Sequence, residues 1–169
     1  MRVILTSLAA LAALAGHTFG AEPKQTATAP RLPAAEVFRA GAITVDISPP
    51  KLPARIAGGF LEKTATSLTD RLHVRCLVLD DGRTRIAFAI VDTCMMTRQL
   101  IDEAKQLASA QCGLPAARMM ISATHTHSAP PGAFLFQSKH DAFYRRWMGV
   151  RIVDCVRMAA GRLQPAKIG

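Results

Sequence analysis

Residues 42–48 read AITVDIS, with Ile43, Val45 and Ile47 alternating against Thr44, Asp46 and Ser48. Successive side chains of a strand face opposite ways, so this pattern predicts a half-buried strand, stopped by Pro49 and Pro50. Residues 55–70, RIAGGFLEKTATSLTD, carry no period and predict a loop. Its paired Gly58 and Gly59 would let backbone come close to a ligand, or would simply make a turn. Apolar runs at 72–79 and 86–91 predict a hairpin, with DDGR at 80–83 as the turn and Gly82 able to take a positive φ. The second run is apolar on both faces, which predicts an interior strand. It ends at Asp92, which is either a turn or cap residue or a site residue at the carboxyl end of a strand.

The period then changes. Residues 97–113 place Leu100, Ile101, Ala104, Leu107 and Ala108 on one face of a helix, with Thr97 as N-cap, Gly113 as the stop and Pro115 beyond it. ARMMISAT at 117–124 predicts another strand, and residues 139–163 predict a long amphipathic helix followed by QPAKIG. The order strand, hairpin, helix, strand, helix predicts an α/β fold: a mixed sheet with flanking helices, its crossover through the first helix joining two parallel strands.

The start of the chain has a different character. Residues 1–21 open with a single basic residue, run apolar from 3 to 15 and end among small residues, the layout of a secretory signal peptide. The apolar run is too short to span a bilayer comfortably, and an N-terminal anchor helix is the other reading. Residues 22–36, rich in Pro, Ala and Thr, predict a flexible linker, leaving 37–169 as the folded part. The chain is therefore expected to be exported, to the periplasm or the medium. In such a compartment the four cysteines, Cys76, Cys94, Cys112 and Cys155, could make two disulfides. Their setting on apolar strands and helices equally suits buried free thiols.

Half of the 169 residues are apolar and a fifth are charged, as in an ordinary globular protein. The net charge of +9 raises nucleic acid as a partner, but the basic residues are scattered and only one Trp and one Tyr accompany them. No nucleic-acid partner is expected.

The candidate chemistry lies at 122–132, SATHTHSAPPG. In a strand, His125 and His127 would point to the same side and converge on one ion or one substrate group. Neutral imidazole is the commonest metal ligand and zinc suits it. The place, beyond the carboxyl end of a strand in an α/β sheet, is where such folds bind ligands. Two solvated loop histidines are the plainer alternative. A catalytic zinc needs three protein ligands and an open position. His73 in a strand and His140 at a helix start read as structural, and Asp92 could serve as a ligand or could orient an imidazole. The residues thus supply two convergent ligands and no compelling third.

The motifs GAITVDISPP, RIAGGF, RLHVRCLVLDDG, AIVDTCMM, ISATHTHSAPPG and LQPAKIG, in that order, resemble the beginning of the neutral (alkaline, non-lysosomal) ceramidases, from about Gly41 onward. The most specific of them is ATHTHS. The family's usual segment is closer to THTHSGPGG, from which Ala129 and Pro131 depart. The resemblance implies a zinc-dependent amidase that cuts the N-acyl bond of a ceramide-like lipid with metal-activated water. It implies that His125 is a Zn2+ ligand and His127 the neighbouring catalytic histidine facing substrate. It also implies that 37–169 is the truncated N-terminal part of a larger catalytic domain. The remaining ligands (a second His, a Glu and a Tyr), an active-site Ser and an immunoglobulin-like domain would then belong to the missing C-terminal part. Such a chain alone would be inactive, would leave apolar sheet surface uncovered and would self-associate. Its substrate partner would be a small lipid amide, with contact to a membrane surface left open.

Two other readings compete. One is a non-catalytic exported domain that keeps the family's N-terminal fold. The other is an amidohydrolase-type barrel with H-x-H on a strand, which needs many more βα units than these residues hold.

Overall fold

The structure is a computed structural model that describes residues 37–134 and 141–169. The signal-peptide and linker expectations, and His140, lie outside the described residues. Among these residues no helix is long and apolar enough to cross a membrane.

A five-stranded mixed sheet organises the chain, in the order β6 (Met119–Ala123), β5 (Arg85–Val91), β4 (His73–Asp80), β1 (Arg39–Asp46) and β7 (Gln164–Pro165). Its long strands are β1 (Arg39–Asp46), β4 (His73–Asp80) and β5 (Arg85–Val91), all paired antiparallel. The turn between β4 and β5 forms as its residues dictate. Gly82 takes φ 91°, Asp80 accepts from the Gly82 N–H at 2.9 Å, and Asp81 accepts from Arg83 and Thr84. The Gly82 N–H and the Arg85 guanidinium hold the Asp80 carboxyl below the usual carboxylate range. From β5 the chain crosses through helix α1 (Arg98–Cys112) to β6 (Met119–Ala123), which lies parallel to β5. The predicted caps are in place: Thr97 accepts from Leu100 N at 3.2 Å, and Gly113 ends α1 at φ 69°. Helix α2 (Ala142–Ala160) starts on Asp141, whose side chain accepts from the backbone of Phe143 and Tyr144. The two-residue β7 (Gln164–Pro165) then pairs with the start of β1.

Two departures from the sequence reading stand out. The stretch expected to be a structureless loop contains β2 (Ala54–Ile56) and β3 (Lys63–Ala65), a small antiparallel hairpin. Three-residue strands are too short to show alternation, so backbone pairing alone defines them. Leu107, expected in the buried face of α1, is 55% exposed, because α2 covers only the Leu100, Ala104 and Ala108 stripe.

The core lies on one face of the sheet. Val45, Val74, Cys76, Val78, Ala87, Ala89, Val91, Met119 and Ile121 point to the side that α2 covers, with α1 packed alongside α2. Tyr144, buried in this layer, donates from its hydroxyl to Ile47 O at 2.8 Å, and burial pushes its pKa up. β5 is interior, as its composition predicts, but only one of its faces is covered. On the other side Ala42, Leu77, Phe88 and Met120 are cross-strand neighbours, and Leu77 and Met120 are 39% and 48% exposed. A contiguous apolar row of this kind favours association. Size-exclusion chromatography with light scattering is expected to show species larger than a monomer, and substituting Leu77 and Met120 by Lys should shift them toward monomer. A monodisperse wild-type monomer would contradict this.

Candidate metal centre

The site hangs from the carboxyl ends of the parallel pair β5 and β6. Beyond the strands the two chains stay side by side: Thr124 N donates to Val91 O at 2.9 Å and His125 N to Thr93 O at 3.1 Å. Thr93, fully buried, donates from Oγ1 to Pro130 O at 3.2 Å, and a parallel bridge joins Met96 to Gly132. Segments 92–96 and 124–132 therefore form one unit. A third segment joins it where Ala57 N donates to Ala129 O at 3.0 Å.

His125 and His127 come together as expected, but not by strand geometry. β6 ends at Ala123, and His125 has φ 63°, in the left-handed region that side chains seldom enter. This turn, not an i, i+2 alternation, sets the ring centroids 5.1 Å apart with planes at 64°. His125 Nδ1 lies 3.0 Å from Cys94 O. A carbonyl only accepts, so the neutral ring carries its proton on Nδ1 and keeps the Nε2 lone pair open. His127 packs against Gly58, whose φ is 103°. Gly58 thus serves a close approach, to a histidine of the site.

Cys94 was not singled out by sequence. Its side chain is buried and its Sγ lies 3.9 Å from His125 Nδ1. Cys94, His125 and His127 each offer one donor atom within 4.8 Å of the other two. Burial pushes the Cys94 thiol up, so without a cation nearby it is neutral. A thiol and two imidazoles are the donor types that zinc prefers, so the residues present fit such an ion.

The other sequence candidates lie elsewhere. Asp92 does not orient either imidazole; it receives the His73 N–H at 2.9 Å and both its oxygens accept from Arg75, at 3.0 and 2.9 Å. It therefore ties the start of β4 to the end of β5. His73 lies beside Arg75, at 3.4 Å from its guanidinium. Cys76, Cys112 and Cys155 are free thiols on β4, α1 and α2. Next to the histidine loop is a cleft of about 570 Å³ lined by Arg55, Ser67, Arg71, Asp92, Thr126 and Ser128, among others. Its floor is the sheet end and its outer wall the β2–β3 hairpin.

No family model matches the chain. Among solved structures, neutral ceramidase from Pseudomonas aeruginosa superposes with a TM-score of 0.61 and 24% identity, over 76% of this chain and 22% of that one. This is the fold of a part of neutral ceramidase. A second structure, a ceramidase complexed with C2, superposes at 0.62 with the same identity and the same coverage of both chains. The α/β architecture expected from the sequence, a mixed sheet with flanking helices, is thus the one shared with the ceramidases, and both helices lie on one face of the sheet. The chain spans about a fifth of the length of those ceramidases.

Proposed function

We propose that this chain is part of an exported, zinc-dependent hydrolase that cleaves an N-acyl amide bond in a ceramide-like lipid. One observation carries the reading: His125 and His127 sit with donor atoms converging at the carboxyl end of a sheet whose fold is that of part of neutral ceramidase. His125 holds the metal, presenting one nitrogen while Cys94 O fixes the other. When bound, zinc acidifies a water and polarises the amide carbonyl. His127 is exposed beside His125, with ring centroids 5.1 Å apart, so it can hydrogen-bond the reacting oxygen or carry a proton to the leaving amine. The cleft beside it has the size for an amide headgroup, with Ser128 and Thr126 as hydroxyl partners. The chain spans about a fifth of the ceramidases it resembles, so by itself it is expected to bind metal without turnover.

Zinc titration of the chain tests this. His125→Ala is expected to weaken zinc binding by about 100-fold or more, since even outer partners of a zinc ligand cost 10–100-fold. In the complete enzyme, His127→Ala should lower amide hydrolysis by about 10²–10⁴-fold, the usual share of a general acid–base group. If His125→Ala binds zinc as tightly as the wild type, the metal role is wrong. The alternative, a non-catalytic domain retaining the fold, predicts that outcome.

A further inference from the structure

The geometry points to Cys94 as a ligand of the same ion as His125, so that this chain supplies a thiolate to the centre. The inference rests on the metal reading above and adds a donor that the H-x-H motif does not contain. Two observations support it. Cys94 is only 3% exposed, and its sulfur lies 3.9 Å from His125 Nδ1. One donor atom from each of Cys94, His125 and His127 lies within 4.8 Å of the other two. Sulfur and nitrogen ligands of one tetrahedral zinc stand roughly 3.5 Å apart, given metal distances of about 2.3 and 2.0 Å. The Cys94 and His125 donor atoms, within 4.8 Å of each other, are therefore close to that spacing.

The backbone around Cys94 is already fixed for this. Cys94 O holds His125 Nδ1 at 3.0 Å, and its neighbour Thr93 is anchored to Pro130 O and receives the His125 N–H. The sulfur and the ring are thus held by the same two segments. Binding is a proton-for-metal exchange: as the sulfur–metal bond forms, the thiol proton passes to solvent. No electron is transferred. A thiolate beside an imidazole makes the centre softer than a set of nitrogen and oxygen donors and favours zinc or cobalt over magnesium or calcium.

Cobalt(II) titration of the chain tests this directly, because a cobalt–thiolate bond gives an intense near-ultraviolet charge-transfer band that nitrogen and oxygen ligands do not. The expected result is a saturable band in the wild type and in Cys112→Ser, its loss in Cys94→Ser, and a 10–100-fold weaker cobalt affinity in that variant. Saturable cobalt binding by the wild type without the band would overturn Cys94 as a ligand while leaving the His125 reading intact. A band that survives in Cys94→Ser would assign the thiolate to another cysteine and equally overturn it. Failure of the wild type to bind cobalt or zinc at all would remove the metal reading itself, and this inference with it. The wild-type spectrum decides the matter even if Cys94→Ser folds poorly.

Discussion

Gly41→Ala is expected to destabilise the protein by about 3 kcal/mol, at the upper end of what overpacking costs. Gly41 lies on β1, on the covered face of the sheet, opposite Val78 in the register. A Cβ placed there would collide with Ala159 O and come within 3.0 Å of Arg162 C and 3.1 Å of Leu163 N. All three are backbone atoms, so no side-chain rotation relieves the overlap. The last turn of α2, the turn into β7 and the strand itself would have to separate. Part of the Val45, Ile152 and Val156 packing would go with them, because α2 covers β1, β4 and β5 as one unit. Thermal unfolding should fall by roughly 10 °C for a domain of this size. Ala42→Ser, one residue on and facing the uncovered side, should change stability by no more than about 0.5 kcal/mol. Equal stabilities for Gly41→Ala and the wild type would mean that the α2 terminus is not seated where its backbone places it.

The contrast between the two neighbours shows what sequence could and could not convey. Elements fixed by local chemistry were legible. The DDGR turn is made by Asp80, Asp81 and Gly82 within five residues, and α1 begins and ends on Thr97 and Gly113 as its cap residues dictate. Alternation placed β1, and an unbroken apolar run placed β5 inside the sheet. What escaped was set by contacts between distant segments. The β2–β3 hairpin has no period of its own, and Leu107 fits the helical stripe yet finds no partner across from it. The site shows the same division. His125 and His127 announce themselves by spacing, but the left-handed turn that joins their rings comes from the backbone of segment 92–96 alongside. Cys94 precedes His125 by 31 residues and meets it only because β5 and β6 are parallel neighbours. Nothing local marks it, whereas a parallel βαβ crossover combined with AIVDTC and ATHTH, read together, would have placed both motifs at one sheet end.

Gly58→Ala should act on His127 while sparing His125. At φ 103° an alanine is strained by about 1–2 kcal/mol wherever it stands. Here its Cβ would also fall on His127, 2.5 Å from that residue's Cβ and 2.6 Å from Nδ1. Something must yield. Because the overlap includes His127 Cβ, turning the ring alone cannot relieve it, and the Ala57–Ala129 hydrogen bond that ties the glycine's segment to the histidine loop passes the shift to the His127 backbone. His125, held by Thr93 and Cys94 on the far side, has no cause to follow. Imidazole nitrogen spectra should therefore show the His127 resonances displaced and those of His125 unchanged, with zinc affinity within a few-fold of wild type. In the complete enzyme a ring displaced by about 1 Å should cost roughly 100-fold in hydrolysis. Gly59→Ala is the control, since its φ is not in the left-handed region and its Cβ would meet Leu61 O only at 3.3 Å. Unmoved His127 resonances in Gly58→Ala would show that the Gly58 segment, not His127, gives way. The catalytic position of His127 would then have to be set by its own chain alone.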